Sequence, residues 1–555
     1  MCNNKSIGDI RLNIMRKKVS GNESIQGKTR SSIFNDVLGP VMRGPSSSHT
    51  AASWRIARIA VQILGDELSH ALVEFNQHGA WASNYAEQGT TLGMDGGLLG
   101  IEITDEKMLE SGAIAKKRGV IIEYAISSFQ TDHPNTVRLT LKGATGKQLK
   151  LTGVSTGGGM IEIRKLNDFA VILLGDDYEL IVFFTNELPE ITGKMIEKEC
   201  PSNCSTEWHK EAGKTMLIIR SSKEIPDDFA EMIRNKYENS WVVKITPVMP
   251  IIRGNEKDYP FDSFDSMLSF NKSKKLSLGE LGIVYEQCRS GLEKEALIEK
   301  MKELIAIIEK SILKGLEGTV YKDRILHHQS HLVGKSVSEG RILSDELTNN
   351  IIANVSALME SKSSMGVIVA APTAGACGTL GGTMKAVADY RKLNFEKKIN
   401  AYFAAGMIGV FIAEGPGFSA EAFGCQVECG AASAMTAAAL VELAGGSAKQ
   451  AVDAASMAYQ NMIGLICDPI ADRVEAPCLG KNISAAMNAL SSSTMALAGF
   501  DAVIPLDQVI NTVYNVGQKI PFELKCTGLG GLAATPRALE IKKQLKKMET
   551  DQNKL

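Results

Sequence analysis

The sequence predicts an α+β fold, with a mixed sheet in the N-terminal part and a mainly α-helical domain in the C-terminal part. Strand-like runs alternate with helices before residue 246, a pattern typical of sheets covered by helices. From residue 277 onward Ala, Gly, Met and Leu dominate and strand signals are few, which indicates closely packed helices around a buried site. The 555 residues exceed what one ordinary core holds, so roughly two to four domains are expected.

Composition and element order divide the chain into five segments. We expect a disordered, polar and basic extension over residues 1–31, a helix-and-strand domain over 32–165, a compact αβ module over 168–245, a linker over 246–276 and a helical domain over 277–545.

Hydrophobic periodicity predicts the elements in order. Helices are predicted over 50–68, 189–197, 227–236, 278–314, 344–361, 431–443, 447–462 and 483–497. Strands are predicted over 120–128, 136–142, 160–163, 169–174, 180–185 and 215–219, with a glycine-rich turn over 153–159.

Bulk properties exclude several function classes. The net charge of −2 shows no excess of positive charge that would favour binding to nucleic acid or to an anionic membrane. The N-terminus lacks an apolar signal segment, and the stretch 401–413 is too short and glycine-rich to cross a bilayer, so we expect a cytoplasmic protein. In that compartment ten cysteines indicate buried thiols or metal ligands, not disulfides.

Three of these cysteines stand close to glycine or proline residues that interrupt helices and strands. Cys425 follows a glycine, Cys467 precedes Asp-Pro and Cys478 follows a proline, at intervals of 42 and 11 residues. Zinc sites normally recruit a Cys-x-x-Cys pair, which these three lack. Turns expose backbone N–H groups, which can donate hydrogen bonds to the sulfurs of a cluster. Three thiolates on a four-iron cluster would leave one iron without a protein ligand, and that iron could act as a Lewis acid. The alternative is that they are inert buried thiols.

Two further segments carry candidate site residues. The serine-rich loop Ser46–Thr50 offers four hydroxyls and the imidazole of His49 at a predicted helix start. Ser48 or Thr50 is expected to cap that helix, while the loop as a whole could bind a substrate carboxylate. Glycines after Thr373, at 375, 378, 381 and 382, allow either close approach to a ligand or tight helix packing.

Taken together, these motifs resemble those of the iron–sulfur-dependent L-serine dehydratases (L-serine ammonia-lyases) in a fused arrangement of beta-like and alpha-like parts. The matching segments are Gly44–Thr50, Gly153–Gly159, Ala371–Gly378, Gly424–Gln426, Leu465–Pro469, Ala476–Cys478 and Gly528–Pro536.

The resemblance implies a lyase that dehydrates and deaminates L-serine to pyruvate and ammonia. It makes residues 277–545 the catalytic domain and residues 168–245 an ACT-like module. It implies a [4Fe-4S] cluster with one open iron, a small amino acid as substrate, and a homodimer without nucleic-acid or membrane partners. The implied residues are Cys425, Cys467 and Cys478 as metal ligands, Ser46, Ser47, Thr50, Thr373, Ala374 and Gly375 for substrate binding, and His49, Ser48 and Glu87 for catalysis.

Three departures from the family pattern bear on substrate and base. Gln88 stands where the family has a histidine, and an amide cannot take a proton, so the base is left to His49 or Glu87. The segment Gly415–Ala420 replaces an Asn-Ala-Ser-Ile-Ser-Gly motif, and Lys525-Cys526 replaces Arg-Glu. A lyase acting on threonine or cysteine, or a non-catalytic cluster-based amino-acid sensor, therefore stays open. Cys200 and Cys204 leave a second metal site open as well.

Overall fold

The computed structural model describes residues 30–187, 190–201, 204–237, 240–248, 259–321 and 324–552. The extension predicted over residues 1–31 lies outside the described residues except for Arg30 and Ser31.

The strands are β1 Val41–Arg43, β2 Leu68–Asn76, β3 Ile121–Ser127, β4 Thr136–Gly143, β5 Gln148–Gly157, β6 Met160–Leu166, β7 Phe169–Leu173, β8 Tyr178–Phe184, β9 Cys204–Glu211, β10 Lys214–Ser221, β11 Ser240–Ile245 and β12 Val367–Val369. The helices are α1 Ala52–Leu64, α2 Ala80–Asn84, α3 Thr90–Leu98, α4 Ser111–Arg118, α5 Glu190–Glu199, α6 Asp227–Lys236, α7 Phe264–Lys274, α8 Leu278–Ser290, α9 Lys294–Glu317, α10 Ser330–Ser338, α11 Glu346–Ser363, α12 Cys377–Tyr390, α13 Phe395–Glu414, α14 Ala420–Phe423, α15 Cys429–Leu443, α16 Ala448–Gln460, α17 Cys478–Leu497, α18 Leu506–Lys519 and α19 Pro536–Gln552.

A six-stranded mixed sheet supports the N-terminal part, in the order β3-β2-β4-β5-β6-β7. The β2–β3 pair is parallel and the other pairs are antiparallel. Helix α1 buries Ile56, Ile59 and Ile63 in the core. It ends at Gly65, whose φ of +55° suits glycine, so the predicted helix to residue 68 was too long and β2 begins there. The mixed sheet predicted for this half is confirmed.

The module that follows has the element order βαββαβ. Strands β8, β9, β10 and β11 form an antiparallel sheet in the order β11-β8-β10-β9, with α5 and α6 as its helices. This is the split-βαβ arrangement of ferredoxin-like folds. One face buries Leu180, Leu217 and Ile219 beneath Phe229 and Ile233 of α6.

The C-terminal part is a bundle of helices, as predicted. The helix predicted over 278–314 is two helices, α8 and α9, because Gly291 adopts a φ of +69° between them. Helix α7 lies within the segment predicted as a linker. None of the helices in the described ranges is long and apolar enough to span a membrane.

Glycines on α12 allow close contact with α11. A Cβ on Gly382 would lie 2.5 Å from the Val355 nitrogen of α11, and one on Gly378 would meet Met359. Gly378 and Gly382 therefore serve tight helix packing, which was one of the two predicted roles of these glycines. The same packing fixes the start of α12, which follows Thr373 and Gly375.

Candidate active site

The three predicted cluster cysteines come from three separate segments. Cys425 lies in a short turn before α15, Cys467 in the loop after α16, and Cys478 at the first position of α17. All three are buried, with at most 8% of their surface exposed. The backbone N–H of Gln426 donates to the carbonyl of Leu465 over 3.0 Å, which holds the first two segments together.

Asn482 on α17 joins the third segment to the others. Its Nδ2 donates to the carbonyl of Cys478 over 2.9 Å and to the carbonyl of Gly375 over 2.8 Å. The same nitrogen lies 3.7 Å from the sulfur of Cys429, the residue that begins α15. One buried amide thus ties the cysteine segments to the loop that begins at Thr373.

The thiols differ in their readiness to ionise. The Cys429 thiol donates to the Cys425 sulfur and, against the effect of burial, lowers the pKa of Cys425 to about 7. The Cys467 thiol donates to the Cys526 sulfur, and this contact together with burial raises the pKa of Cys467. Burial raises the pKa of Cys478 to about 12. Metal binding would have to displace these protons.

A lysine lies beside the same sulfurs. Lys481, one turn after Cys478, donates to the carbonyl of Ile466 over 2.8 Å and to Oδ1 of Asp468 over 2.6 Å, so it holds both neighbours of Cys467. Burial opposes its charge, but the nearby thiols of the three predicted ligands raise the pKa of Lys481 overall. The site therefore contains a positive charge that anionic sulfur would stabilise.

Within the described ranges, no three His, Cys, Asp or Glu side chains converge closely enough to hold one metal ion. The chemistry of the donor set fits an iron–sulfur cluster. Buried sulfurs from separate turns, with a cation beside them, are the environment of thiolate-ligated clusters.

His49 lies in the serine-rich loop, which forms a π-helical turn, Ser47–Ala51, directly before α1. The imidazole is fully buried, and its Nε2 lies 2.9 Å from Oδ1 of Asn84. Asn84 Nδ2 donates to the carbonyl of Cys526 over 3.1 Å, which fixes the amide orientation. Nε2 therefore carries the proton and donates it, and Nδ1 is the basic nitrogen, 3.2 Å from Ser46 Oγ and 3.0 Å from Ser48 Oγ.

Glu421 completes this hydrogen-bonded group. Ser48 donates to Glu421 Oε1 over 2.7 Å, Ser419 donates to Oε2 over 3.0 Å, and His49 Nδ1 lies 3.7 Å from Oε1. Burial works against ionisation, but His49 and the two hydroxyls more than offset it and hold the pKa of Glu421 below its ordinary value. Burial, partly offset by Glu421, lowers the pKa of His49. A neutral imidazole beside a carboxylate suits a general base.

The loop at residues 373–375 contacts the serine-rich loop directly. Ser47 Oγ accepts a hydrogen bond from the Ala374 N–H over 3.1 Å. Gly375 faces the carboxyl of Glu428, which a Cβ would approach to 3.3 Å, and the Thr373 hydroxyl lies beside the same carboxyl. Burial, reinforced by the neighbouring sulfur of Cys425, raises the pKa of Glu428. The two loops and the Glu428 carboxyl thus share one buried space.

The glycine-rich segment closes this space from the mixed sheet. It was predicted as a turn over 153–159, but β5 continues to Gly157 and the turn occupies only the last residues. Gly157 has a φ of +108°, and a Cβ there would lie 2.7 Å from the Ser419 nitrogen. A Cβ on Gly158 would lie 3.3 Å from the Pro372 carbonyl. Glycine is required here because the turn approaches both site segments.

The helix cap predicted in the serine-rich loop does not form, and Glu87 lines a cavity. Neither Ser48 nor Thr50 caps the helix, since no side chain accepts at its start; Thr50 instead donates to the Gln88 carbonyl over 3.2 Å. Glu87 lines a cavity of 210 Å³ with Tyr321, Arg473 and Glu475, among others, while the carboxylate beside His49 is Glu421. Two of the departures from the family pattern meet: Gln88 Nε2 lies 3.6 Å from the Cys526 sulfur.

Cys200 and Cys204 lie in the βαββαβ module, at the end of α5 and the start of β9. Both are half-buried, and burial raises the pKa of each. They contact Ser221 and module core residues, and the second metal site stays a hypothesis.

Comparison with known proteins identifies the family. The model for the serine dehydratase alpha chain matches residues 196–533. The chain belongs to the serine dehydratase alpha-chain family. It is 36% identical over 285 residues to the probable L-serine dehydratase alpha chain of Bacillus subtilis (strain 168), which covers 51% of this chain and 95% of that protein. The L-serine dehydratase alpha chain of Peptoniphilus asaccharolyticus is 34% identical over 275 residues, 49% of this chain and 94% of that protein.

This family member is also similar to a serine dehydratase beta chain. The probable L-serine dehydratase beta chain of Bacillus subtilis (strain 168) is 40% identical over 162 residues, 29% of this chain and 72% of that protein. Similarity to both an alpha and a beta chain agrees with the fused arrangement that the sequence motifs indicate. The site lies where the two parts meet, since Ser47 bonds Ala374 and Ser48 bonds Glu421.

Several residues of the site escaped sequence reasoning, among them Asn84, Glu421, Asn482 and Lys481. Each acts on a partner that is distant in sequence or lacks a motif of its own. Glu421 follows the segment Gly415–Ala420, whose departure from the family pattern was the available signal. Asn482 and Lys481 share the face of α17 that begins with Cys478, so helical spacing after a ligand was a usable signal for both.

Proposed function

We propose that this chain is an L-serine ammonia-lyase that converts L-serine to pyruvate and ammonia by dehydration. The observation that carries the proposal is the meeting of two parts in one buried space: the three cysteines on one side and His49, with its basic Nδ1, on the other. The relatives named above are called L-serine dehydratases, which supports serine over threonine or cysteine.

We assign a [4Fe-4S] cluster to Cys425, Cys467 and Cys478. When bound, the cluster supplies a Lewis acid that makes the substrate β-hydroxyl a better leaving group. Cys429 and Asn482 support this assignment, because Cys429 donates to the Cys425 sulfur and Asn482 donates to the Cys478 carbonyl.

The chain's own residues position the substrate and move its proton. The loops at Ser46–Ser48 and at Thr373–Gly375 surround the amino acid. His49 accepts the α-proton at Nδ1, while Asn84 keeps the other ring nitrogen protonated. Glu421 stabilises the imidazolium that forms, from 3.7 Å. Loss of the α-proton and the hydroxyl gives an enamine, which tautomerises and hydrolyses to pyruvate and ammonia.

The βαββαβ module supports a second assignment, to an ACT-like domain. Its strand order and its two helices agree with that proposal. The fold alone carries no function, and direct binding measurements with the whole chain test whether the module binds an effector.

The test is turnover by the anaerobically reconstituted protein on L-serine, L-threonine and L-cysteine. We expect pyruvate and ammonia in equal amounts from L-serine, at a kcat/KM well above that for the other two. Full cluster content without pyruvate would overturn the serine assignment, and binding of L-serine without turnover would favour the sensor.

A further inference from the structure

Two residues of the mixed sheet bury polar atoms that have no partner. The side chains of Asn135 and Ser155 are 0% exposed. Neither Nδ2 nor Oδ1 of Asn135, nor Oγ of Ser155, has a hydrogen-bond partner in the part of the chain that the structure describes. A buried polar group left unpaired destabilises the folded state, so three such atoms on two neighbouring residues call for a ligand.

The two residues are neighbours. The backbone N–H of Ser155 donates to the carbonyl of Asn135 over 3.0 Å, at the point where β4 begins and β5 approaches its end. They therefore present their side chains from adjacent strands of one sheet.

Both residues lie beside the site already described. Pro134 accepts a hydrogen bond from the N–H of Ala80 over 2.9 Å, and Ala80 begins the helix that ends in Asn84. Two residues beyond Ser155, Gly157 packs against the backbone of Ser419, the hydroxyl partner of Glu421. The backbone that flanks Asn135 and Ser155 thus contacts the segments that hold His49 and Glu421.

The chemistry of these atoms fits one kind of ligand. An asparagine amide offers a donor and an acceptor on one rigid plane, and a serine hydroxyl offers both on one atom. An α-amino acid head group presents the complement, with three N–H donors on the ammonium and two acceptor oxygens on the carboxylate. Neither residue carries a net charge, which suits a zwitterion.

We propose that Asn135 and Ser155 bind the α-ammonium and α-carboxylate of the amino-acid substrate. The proposal rests on the proposed function and deepens it, because it separates recognition of the head group from the chemistry at the β-hydroxyl. Bonds from a neutral side chain to a charged group contribute about 1.5–3 kcal/mol, or roughly tenfold to a hundredfold in affinity.

The test uses L-alanine, which has the same head group but no β-hydroxyl to eliminate. Its binding to the anaerobically reconstituted protein is measured by calorimetry for wild type, Asn135→Ala and Ser155→Ala. The matched control is Ser492→Ala, which removes another buried hydroxyl without a partner, on α17. KM and kcat for L-serine are measured on the same samples, and circular dichroism and iron content confirm folding and loading.

We expect Asn135→Ala and Ser155→Ala each to weaken L-alanine binding at least about tenfold and to raise KM for L-serine with a smaller change in kcat. Ser492→Ala should bind L-alanine as the wild type does. Unchanged L-alanine binding in both site variants would overturn the proposal, as would a loss that Ser492→Ala shares, or no L-alanine binding by a wild type that turns over L-serine. Binding of L-alanine that depends on Asn135, without any pyruvate from L-serine, would uphold this proposal and refute the serine assignment.

Discussion

The amide oxygen of Asn84 lies 2.9 Å from Nε2 of His49, and this contact decides which ring nitrogen carries the proton. Because Asn84 Nδ2 is held by the carbonyl of Cys526, the amide cannot turn over without losing a second bond. The basic nitrogen therefore points at Ser46 and Ser48, on the substrate side.

Replacing Asn84 tests this tautomer assignment. Asn84→Ala should lower kcat for L-serine by about a hundredfold or more with a small change in KM, since the imidazole loses its fixed tautomer. Steady-state kinetics with Asn461→Ala, an exposed asparagine bonded to Asn488, serve as the control. Full kcat in Asn84→Ala would remove His49 from the role of base.

The pH profile tests the pair His49 and Glu421. Burial lowers the pKa of His49, so the acidic limb of kcat/KM should lie below the ordinary value of about 6.5, and activity should fall as protonation removes the base. Glu421 raises the His49 pKa, so Glu421→Gln should shift that limb to lower pH while reducing kcat. A limb that stays in place in Glu421→Gln would show that another group titrates.

Lys481 should govern cluster retention. Lys481→Met removes the cation beside the three sulfurs and frees both neighbours of Cys467, so iron loss to a chelator should accelerate about tenfold or more. Lys481→Arg should retain iron better than Lys481→Met. The matched control is Lys449→Met, an exposed lysine paired with Asp453 on α16. Equal iron loss in Lys481→Met and Lys449→Met would contradict the role given to Lys481.

Glu179 in the module should make stability pH-dependent. Burial, only partly offset by Arg220, raises the pKa of Glu179 to about 7 from 4.5. The folded state thus holds a proton that the unfolded chain releases above pH 4.5, so stability from this group is full below that pH and is lost as the pH rises through about 7. The loss of this stability should lower the urea concentration at the midpoint of unfolding as the pH rises from 4.5 to about 7.

Glu179→Gln keeps the shape of the neutral acid and should flatten this dependence. Glu207→Gln, which removes the more exposed carboxylate on the same Arg220, is the control and should preserve the slope. An unaltered slope in Glu179→Gln would show that Glu179 is ionised throughout the range.

Much of the fold follows from local patterns in the sequence. The helix predicted over 227–236 has the same bounds in the structure, and the strands predicted over 120–128 and 136–142 differ from β3 and β4 by at most one residue at each end. These segments have clear periodicity and turn residues on both sides. The strand β2 was missed because its first residue continues the apolar pattern of α1, and Gly65 alone marks the boundary.

The site was predictable only where a motif carries it. His49 and the cysteines stand in recognisable segments, but Glu421 reaches Ser48 across 373 residues and Asn482 reaches Gly375 across 107. Such contacts depend on how the mixed sheet docks on the helical bundle, which no local pattern encodes. The same reason explains why Glu87 was a candidate base: it neighbours Gln88 in sequence, whereas the carboxylate that meets His49 comes from the other half.

We propose that the buried cysteines hold a cluster on which serine deamination depends. Bound iron, acid-labile sulfide and pyruvate release, measured on the same anaerobic samples of wild type and Cys467→Ser, test this dependence. We expect about four iron atoms per chain with pyruvate formation in the wild type, and loss of both in Cys467→Ser. Pyruvate formation by Cys467→Ser at the wild-type rate, or by wild type free of iron, would contradict it.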